Sequence, residues 1–111
     1  MLRGFYGLIN YTVYSLLFVL ERPTAEINCS SPFTVNEGDS LKCLCYSSTG
    51  YPSPNVSWYN PGGNKVGKTE NLRRTLLLNN IMKNETGNYS CIVRSLDLED
   101  TKQVKLQVQC K

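Results

Sequence analysis

Cysteine is the residue type in this chain that is best placed to do chemistry. Five cysteines occur among 111 residues, and the chain contains no histidine. The commonest general base and the commonest metal ligand are therefore both missing. No pair of cysteines has the CxxC spacing of a zinc site, so we predict no metal site among Cys29, Cys43, Cys45, Cys91 and Cys110. The chemistry left to these thiols is disulfide formation, which favours an extracellular, secreted or cell-surface protein.

The charged side chains form neither a catalytic nor a nucleic-acid-binding pattern. Glu85, Asp97, Glu99 and Asp100 fall in predicted turns, and no base or nucleophile motif accompanies them. We predict that the chain is not an enzyme, needs no cofactor and takes no small-molecule substrate. The net charge is +3, and the twelve basic residues are scattered without a run that could follow a phosphate backbone. Nucleic acid is therefore not a predicted partner.

Short β-strands must position these side chains, because apolar residues alternate with a period of two in residues 24–111. The inward-facing positions are Leu41, Cys43 and Cys45; Val56 and Trp58; Leu76 and Leu78; Tyr89, Cys91 and Val93; and Val104, Leu106 and Val108. Turn-forming residues separate these runs at 47–55, 60–64, 83–87 and 97–100. The pattern predicts one all-β domain over residues 24–111.

An ordered set of residues connects these strands to a known family. Cys45 precedes Trp58 by 13 residues, and Trp58 precedes Cys91 by 33. The segment LLLNNIMKNETGNYSC has the offsets of the family pattern LxLxxVxxxDxGxYxC, and EGDSLKCLC resembles the lead-in EGDSVTLTC. Through these motifs the chain resembles the immunoglobulin superfamily, especially its cell-surface and extracellular-matrix members.

The resemblance implies a two-sheet antiparallel β-sandwich with Greek-key topology and seven or eight strands, of the intermediate or constant-2-like type. It implies a disulfide between Cys45 and Cys91 beside Trp58, and a tyrosine corner at Tyr89. The core residues that it implies are Trp58, Tyr89, Leu76, Leu78 and Ile81. Glu85 replaces the usual Asp, and its candidate basic partners are Arg73 and Arg74. Residues 65–67 are the predicted short edge strand, and residues 69–71 a separate brief D region.

The three remaining cysteines leave two interpretations open. In this architecture Cys29 lies on the first strand, next to the strand that carries Cys43, so a second disulfide between them is predicted. The alternative is that Cys43 is a reduced, buried small hydrophobe. Cys110 is then unpaired near the chain end, which suggests a bridge to another chain or to a domain outside this sequence.

The first 23 residues form an apolar leader with three interpretations. Residues 4–20 carry no charge, as in a signal peptide. Cleavage after Ala25 would place Pro23 at the minus-three position, where a small residue is preferred. An uncleaved membrane anchor is the second interpretation, since about 20 residues cross a bilayer. The third is a remnant of a preceding segment, such as the last strand of another domain.

Four glycosylation sequons fall inside the predicted domain, at Asn28, Asn55, Asn84 and Asn88, with a fifth at Asn10 in the leader. Asn84 is the best candidate for an N-glycan because its loop is expected to be exposed. Asn28 is weaker, because Cys29 occupies the middle of its sequon. N-glycans on these residues would again place the chain in the secretory pathway.

For binding, the sequence offers surfaces rather than a single site. The loop 47–55 contains Tyr51, followed by Pro52 and Pro54, and this tyrosine is either an interface anchor or a cover for the core. Asp97, Glu99 and Asp100 in the acidic segment 97–100 and the basic segment 71–75 are predicted to form complementary patches between copies, with a solvated charged face as the alternative. Family membership implies a recognition module that binds a protein ligand or a homophilic partner and forms part of a larger receptor, adhesion or matrix protein. The alternative is a stand-alone, disulfide-stapled secreted effector.

Overall fold

The computed structural model describes residues 13–14 and 19–110 of the chain. Ten strands and one 3₁₀-helix occur in this part. They are β1 Val13–Tyr14, β2 Val19–Leu20, β3 Glu26–Ile27, β4 Phe33–Asn36, β5 Leu41–Tyr46, β6 Asn55–Tyr59, β7 Lys65–Asn71, β8 Arg73–Leu78, the 3₁₀-helix Lys83–Glu85, β9 Gly87–Ser95 and β10 Leu98–Gln109. The predicted all-β class is confirmed.

Eight of the described strands build two sheets. One has five strands in the order β4-β10-β9-β6-β7, and the other has three in the order β3-β5-β8. Strands β1 and β2 pair with each other in a separate two-stranded sheet. The two-sheet sandwich of seven or eight strands is thus confirmed.

One edge of the five-stranded sheet departs from the predicted antiparallel pairing. Strands β4 and β10 run parallel, with Phe33 opposite Leu106 and Asn36 opposite Gln109. The chain leaves the three-stranded sheet after Ile27 and joins the other sheet at Phe33, beside the last strand. The other described strand pairs of the two sheets are antiparallel, as predicted, and this edge is the one parallel pairing among them.

Strand β7 also differs from the prediction. Residues 65–67 and 69–71 belong to one continuous strand, which pairs with β6 in the five-stranded sheet. The register shifts between Val56 and Trp58, and Gly67 has a φ of 76°. A bulge with a glycine absorbs this irregularity, so the strand continues instead of ending. A Cβ added at Gly67 would collide with the guanidinium of Arg74 on β8.

The core lies between the two sheets and follows the predicted alternation. Trp58 and both cysteines Cys45 and Cys91 have no exposed surface. The buried apolar residues are Ala25, Val35, Leu41, Cys43, Cys45, Val56, Trp58, Leu76, Ile81, Tyr89, Cys91, Val93, Val104, Leu106 and Val108. Leu78 packs against them and is partly buried. Each large apolar side chain that is fully buried contributes on the order of 1.5–3 kcal/mol to folding.

Candidate functional site

Two disulfides tie the sandwich together. Cys45 on β5 is bonded to Cys91 on β9 across the core, with the Cα atoms 6.5 Å apart. Trp58 lies in the same core, and its indole Nε1 donates a hydrogen bond of 2.9 Å to the backbone oxygen of Arg74. This bond satisfies both the buried indole and a carbonyl group of strand β8.

The second disulfide joins Cys29 to Cys43, with the Cα atoms 5.4 Å apart. It holds the end of β3 against β5. The neighbouring Asn28 extends this pairing, because its backbone N–H donates to Leu44 O at 3.1 Å and its Oδ1 accepts from Leu44 N at 2.9 Å. Cys110 is a free, exposed thiol, and the Nζ of Lys83 donates to its Sγ at 3.3 Å.

The turn before β9 is fixed by Tyr89 and Glu85. The hydroxyl of Tyr89 donates a hydrogen bond of 2.8 Å to the backbone oxygen of Glu85. Burial raises the pKa of Tyr89, and the nearby carboxylate of Glu85 raises it further. Glu85 Oε1 accepts from the backbone N–H of Met82 at 2.8 Å, so the carboxylate closes its own turn. Among residues 19–110, neither Arg73 nor Arg74 forms an ion pair with Glu85, and Arg74 instead bonds to Glu70 at 3.1 Å, so the predicted pairing is wrong.

The loop between β5 and β6 is anchored by residues that precede the predicted domain. Glu21 and Tyr51 exchange two backbone hydrogen bonds of 3.0 Å each, and Glu21 Oε1 accepts from Gly50 N at 3.1 Å. Pro23 is fully buried. The Tyr51 side chain is 53% exposed. The loop is therefore attached to the segment at Glu21, where the contacts of the sandwich begin. The boundary at residue 24 stays a prediction, as does the leader, most of which lies outside the described residues.

The acidic segment at residues 97–100 is not a turn throughout. Only Leu96 and Asp97 form the turn, because Ser95 already pairs with Leu98 and β10 starts there. The Glu99 carboxylate forms an ion pair with Arg94. Asp100 Oδ2 accepts from the backbone N–H of Ala25 at 2.7 Å. Both carboxylates have partners within the domain, so the expected acidic patch of three residues is reduced to Asp97.

The outer face of the three-stranded sheet is a surface that sequence reasoning missed. Its side chains come from alternate positions of three strands and lie in cross-strand rows. These residues are Glu26 on β3, Lys42, Leu44 and Tyr46 on β5, and Arg73, Thr75 and Leu77 on β8. Leu77 is 50% exposed, and a shallow depression of about 370 Å³ opens beside Tyr46 and Arg73. The sequence shows that apolar and polar residues alternate along these strands, but it does not show which residues are neighbours across the strands.

Comparison with known proteins identifies the family. Residues 22–95 match the family model described as an immunoglobulin domain. The chain belongs to the immunoglobulin superfamily. Human IgLON family member 5 is 31% identical to this immunoglobulin domain over 83 residues, and rat basal cell adhesion molecule is 30% identical over 106 residues. These matches cover 75% and 86% of this chain.

Solved structures agree with this assignment. The N-terminal four Ig domains of Dscam1 isoform 8.4 match with a TM-score of 0.66 and 26% identity, over 78% of this chain and 21% of that chain. A chimeric titin Z1Z2 structure matches with a TM-score of 0.66 and 21% identity, over 83% of this chain and 96% of that chain. The sequence prediction of a single immunoglobulin-like domain is confirmed.

The matched relatives define the kind of domain. The match with this chain spans 22% of the length of IgLON family member 5 and 17% of that of basal cell adhesion molecule. Their similarity makes it a non-enzymatic module of the adhesion and recognition type. In the described part of the chain, no helix is both long and apolar enough for a membrane crossing. Among the same residues, no cluster of three metal-binding side chains occurs.

The sequon asparagines of this immunoglobulin domain lie on different parts of its surface. Asn55 on β6 and Asn88 on β9 project from the outer face of the five-stranded sheet, near opposite ends of it. Asn84 lies on the 3₁₀-helix, and Asn28 lies at the edge of the three-stranded sheet. All four residues are exposed. Asn10 lies outside the described residues.

Proposed function

We propose that this immunoglobulin domain is an extracellular module of a larger receptor, adhesion or matrix protein, in which it binds a protein partner. The observation that carries the proposal is the pair of disulfides, Cys29–Cys43 and Cys45–Cys91. Structural disulfides persist in oxidising compartments and are rare in the cytosol. The similarity to adhesion proteins supports a recognition function, and the disulfides support an extracellular location.

The path of the chain supports a position in series with other segments. The chain enters the sandwich at Glu21, which pairs with Tyr51 at the end that carries the β5–β6 loop. It leaves at the opposite end, where Glu37 N donates to Gln109 O at 2.9 Å. Strand β10 is 12 residues long, which separates these two ends by about 36 Å at the usual rise per residue. A domain with this layout can hold the segments before and after it at a fixed distance from each other.

N-glycans on the exposed sequons are part of this proposal. Asn55, Asn84 and Asn88 have accessible side chains, whereas the sequon of Asn28 includes Cys29, which is bonded to Cys43. We expect high occupancy at the first three positions and low occupancy at Asn28. Mass spectrometry of the chain from a glycosylating host, before and after glycosidase treatment, measures this directly. Unmodified asparagines at all four positions would contradict the extracellular assignment.

The function is tested by attaching the glycosylated domain to beads and to reporter cells. Clustering of the beads, or binding to cells that display candidate surface proteins, is the expected result. The sequence of the full-length transcript provides the second measurement, with further domains or an anchor expected. A complete transcript of this length, secreted as a freely diffusing monomer that binds neither beads nor cells, would favour the stand-alone secreted effector instead.

A further inference from the structure

The outer face of the three-stranded sheet carries opposite charges at its two margins. Tyr46 is the cross-strand neighbour of Glu26 on one side and of Arg73 on the other. One row across the sheet therefore contains a carboxylate, an aromatic ring and a guanidinium. Adjacent strands are about 4.8 Å apart, which places the Cα atoms of Glu26 and Arg73 about 10 Å apart.

The carboxylate in this row is oriented by its neighbours and is still exposed. Glu26 Oε2 accepts from Ser48 Oγ at 3.0 Å, and its Oε1 accepts from the Tyr46 hydroxyl at 3.5 Å. Arg73 is exposed and has no ion pair among residues 19–110. In contrast, Arg74 bonds to Glu70 and Arg94 bonds to Glu99. Arg73 is thus a guanidinium available to a carboxylate from outside the domain.

We propose that this face is a self-association surface on which a second copy of the domain docks through a two-fold axis parallel to β5. Rotation about such an axis places β3 of one copy over β8 of the other. Glu26 of each copy then faces Arg73 of its partner, so one interface forms the pair twice. Packed sheets lie about 10 Å apart, a distance that extended Glu and Arg side chains span together. The inference rests on the proposed recognition function and names its partner as a second copy.

The centre of the face provides apolar contact for the same arrangement. Leu44 and Tyr46 are half-buried, Leu77 is 50% exposed, and the depression beside Arg73 can receive a side chain from the partner. Lys42 lies on β5, so its two copies approach each other near the axis. Its long aliphatic stem covers apolar surface while the ammonium group turns to solvent.

The opposite face of the domain is less open to a protein partner when the proposed glycans are present. Asn55 and Asn88 project from the five-stranded sheet. On the three-stranded sheet, Asn28 lies at the edge, and its Oδ1 is bonded to Leu44 N within the plane of the sheet. No sequon lies on β5 or β8. A pair of domains can therefore meet on this face with their carbohydrate directed outward.

Reversal of the two charges tests the proposal. All variants are made in the full chain with S30A, which removes the Asn28 sequon, and C110S, which prevents disulfide dimers. Self-association is measured by sedimentation velocity over a range of concentrations. We expect R73E and E26R each to weaken the dimer at least tenfold, because each affects two symmetric pairs. The double variant E26R/R73E should restore the dimer, since the pairs re-form with their charges exchanged.

A matched control lies on the other face. Lys105 on β10 is exposed, so K105E makes the same charge change as R73E away from the proposed surface and should leave the dimer unchanged. Circular dichroism spectra establish that every variant is folded. Three results would each overturn the proposal. The S30A/C110S protein could remain monomeric up to about 1 mM. R73E and K105E could weaken the dimer equally, or E26R/R73E could dimerise as poorly as R73E. If beads coated with R73E clustered as well as beads coated with the wild-type protein, the recognition function would stand, but this face would not be the self-association surface.

Discussion

Removal of the Cys29–Cys43 disulfide gives a quantitative test of how the first strand is held. The bridge closes a loop with a sequence separation of 14 residues. Closing a loop of this size lowers the chain entropy of the unfolded state and stabilises the fold by about 3 kcal/mol. Cys43 is fully buried, so C29A/C43A also removes packing in the core and adds about 1 kcal/mol to the loss. We therefore expect a total loss of about 3–4 kcal/mol.

The assay is equilibrium unfolding in urea without reducing agent, with the Cys45–Cys91 bond verified by peptide mapping. For a small domain, a loss of this size lowers the midpoint by about 1–3 M. The variant C110A is the matched control, because that thiol is exposed and unbridged, and its free energy of unfolding should change by less than about 0.5 kcal/mol. Hydrogen exchange at Asn28 and Leu44, which bond to each other across β3 and β5, should accelerate selectively in C29A/C43A. A loss below about 1 kcal/mol would refute the view that this bridge secures the first strand.

Three further changes probe the core and the corner. Y89F removes the hydrogen bond to Glu85 O and should cost about 1 kcal/mol at pH 7, as measured by urea unfolding. The raised pKa of Tyr89 means that wild-type stability is fully present below the unfolded pKa of 10.0 and falls as the pH rises above it. Y89F should lack this loss of stability at alkaline pH. If the unfolding free energies of Y89F and wild type depended on pH in the same way, the loss could not be assigned to Tyr89. G67A should cost about 1–2 kcal/mol, because φ is 76° and a Cβ collides with Arg74, and the effect should shrink in an R74A background. W58F should lower the melting temperature through a loss of about 2–4 kcal/mol, since Arg74 O loses its indole donor and the core loses volume; a change below about 1 kcal/mol would contradict that role.

The parts of the fold that the sequence predicted are those set by local alternation and by an ordered motif. In β5, Leu41, Cys43 and Cys45 alternate with outward residues, and all three are buried in the structure. In β9, Tyr89, Cys91 and Val93 do the same. Because a side chain on a strand has only two faces, a period of two is sufficient to divide core from surface.

Features that depend on contacts between distant segments could not be predicted. The pairing of Glu21 with Tyr51 joins residues 30 positions apart, and neither residue type demands the other. The parallel pairing of β4 with β10 depends on where the chain crosses from one sheet to the other, and no residue between β3 and β4 predicts that point. The charged row of Glu26, Tyr46 and Arg73 likewise requires the register of three strands, and hydrophobic periodicity fixes faces rather than registers.

The two disulfides also determine how the domain responds to tension along the chain. Pulling force that enters before Cys29 passes through sulfur to Cys43, continues to Cys45 and crosses again to Cys91. Residues 30–42 and 46–90 lie in closed loops, so they cannot extend even when the sheets separate. From Glu21 to Cys110, fewer than about 30 backbone steps lie on the covalent path, which limits the extended length to about 100 Å, compared with about 300 Å for the reduced chain. A domain between two attached surfaces would thus act as a short tether whose maximum length is set by oxidation.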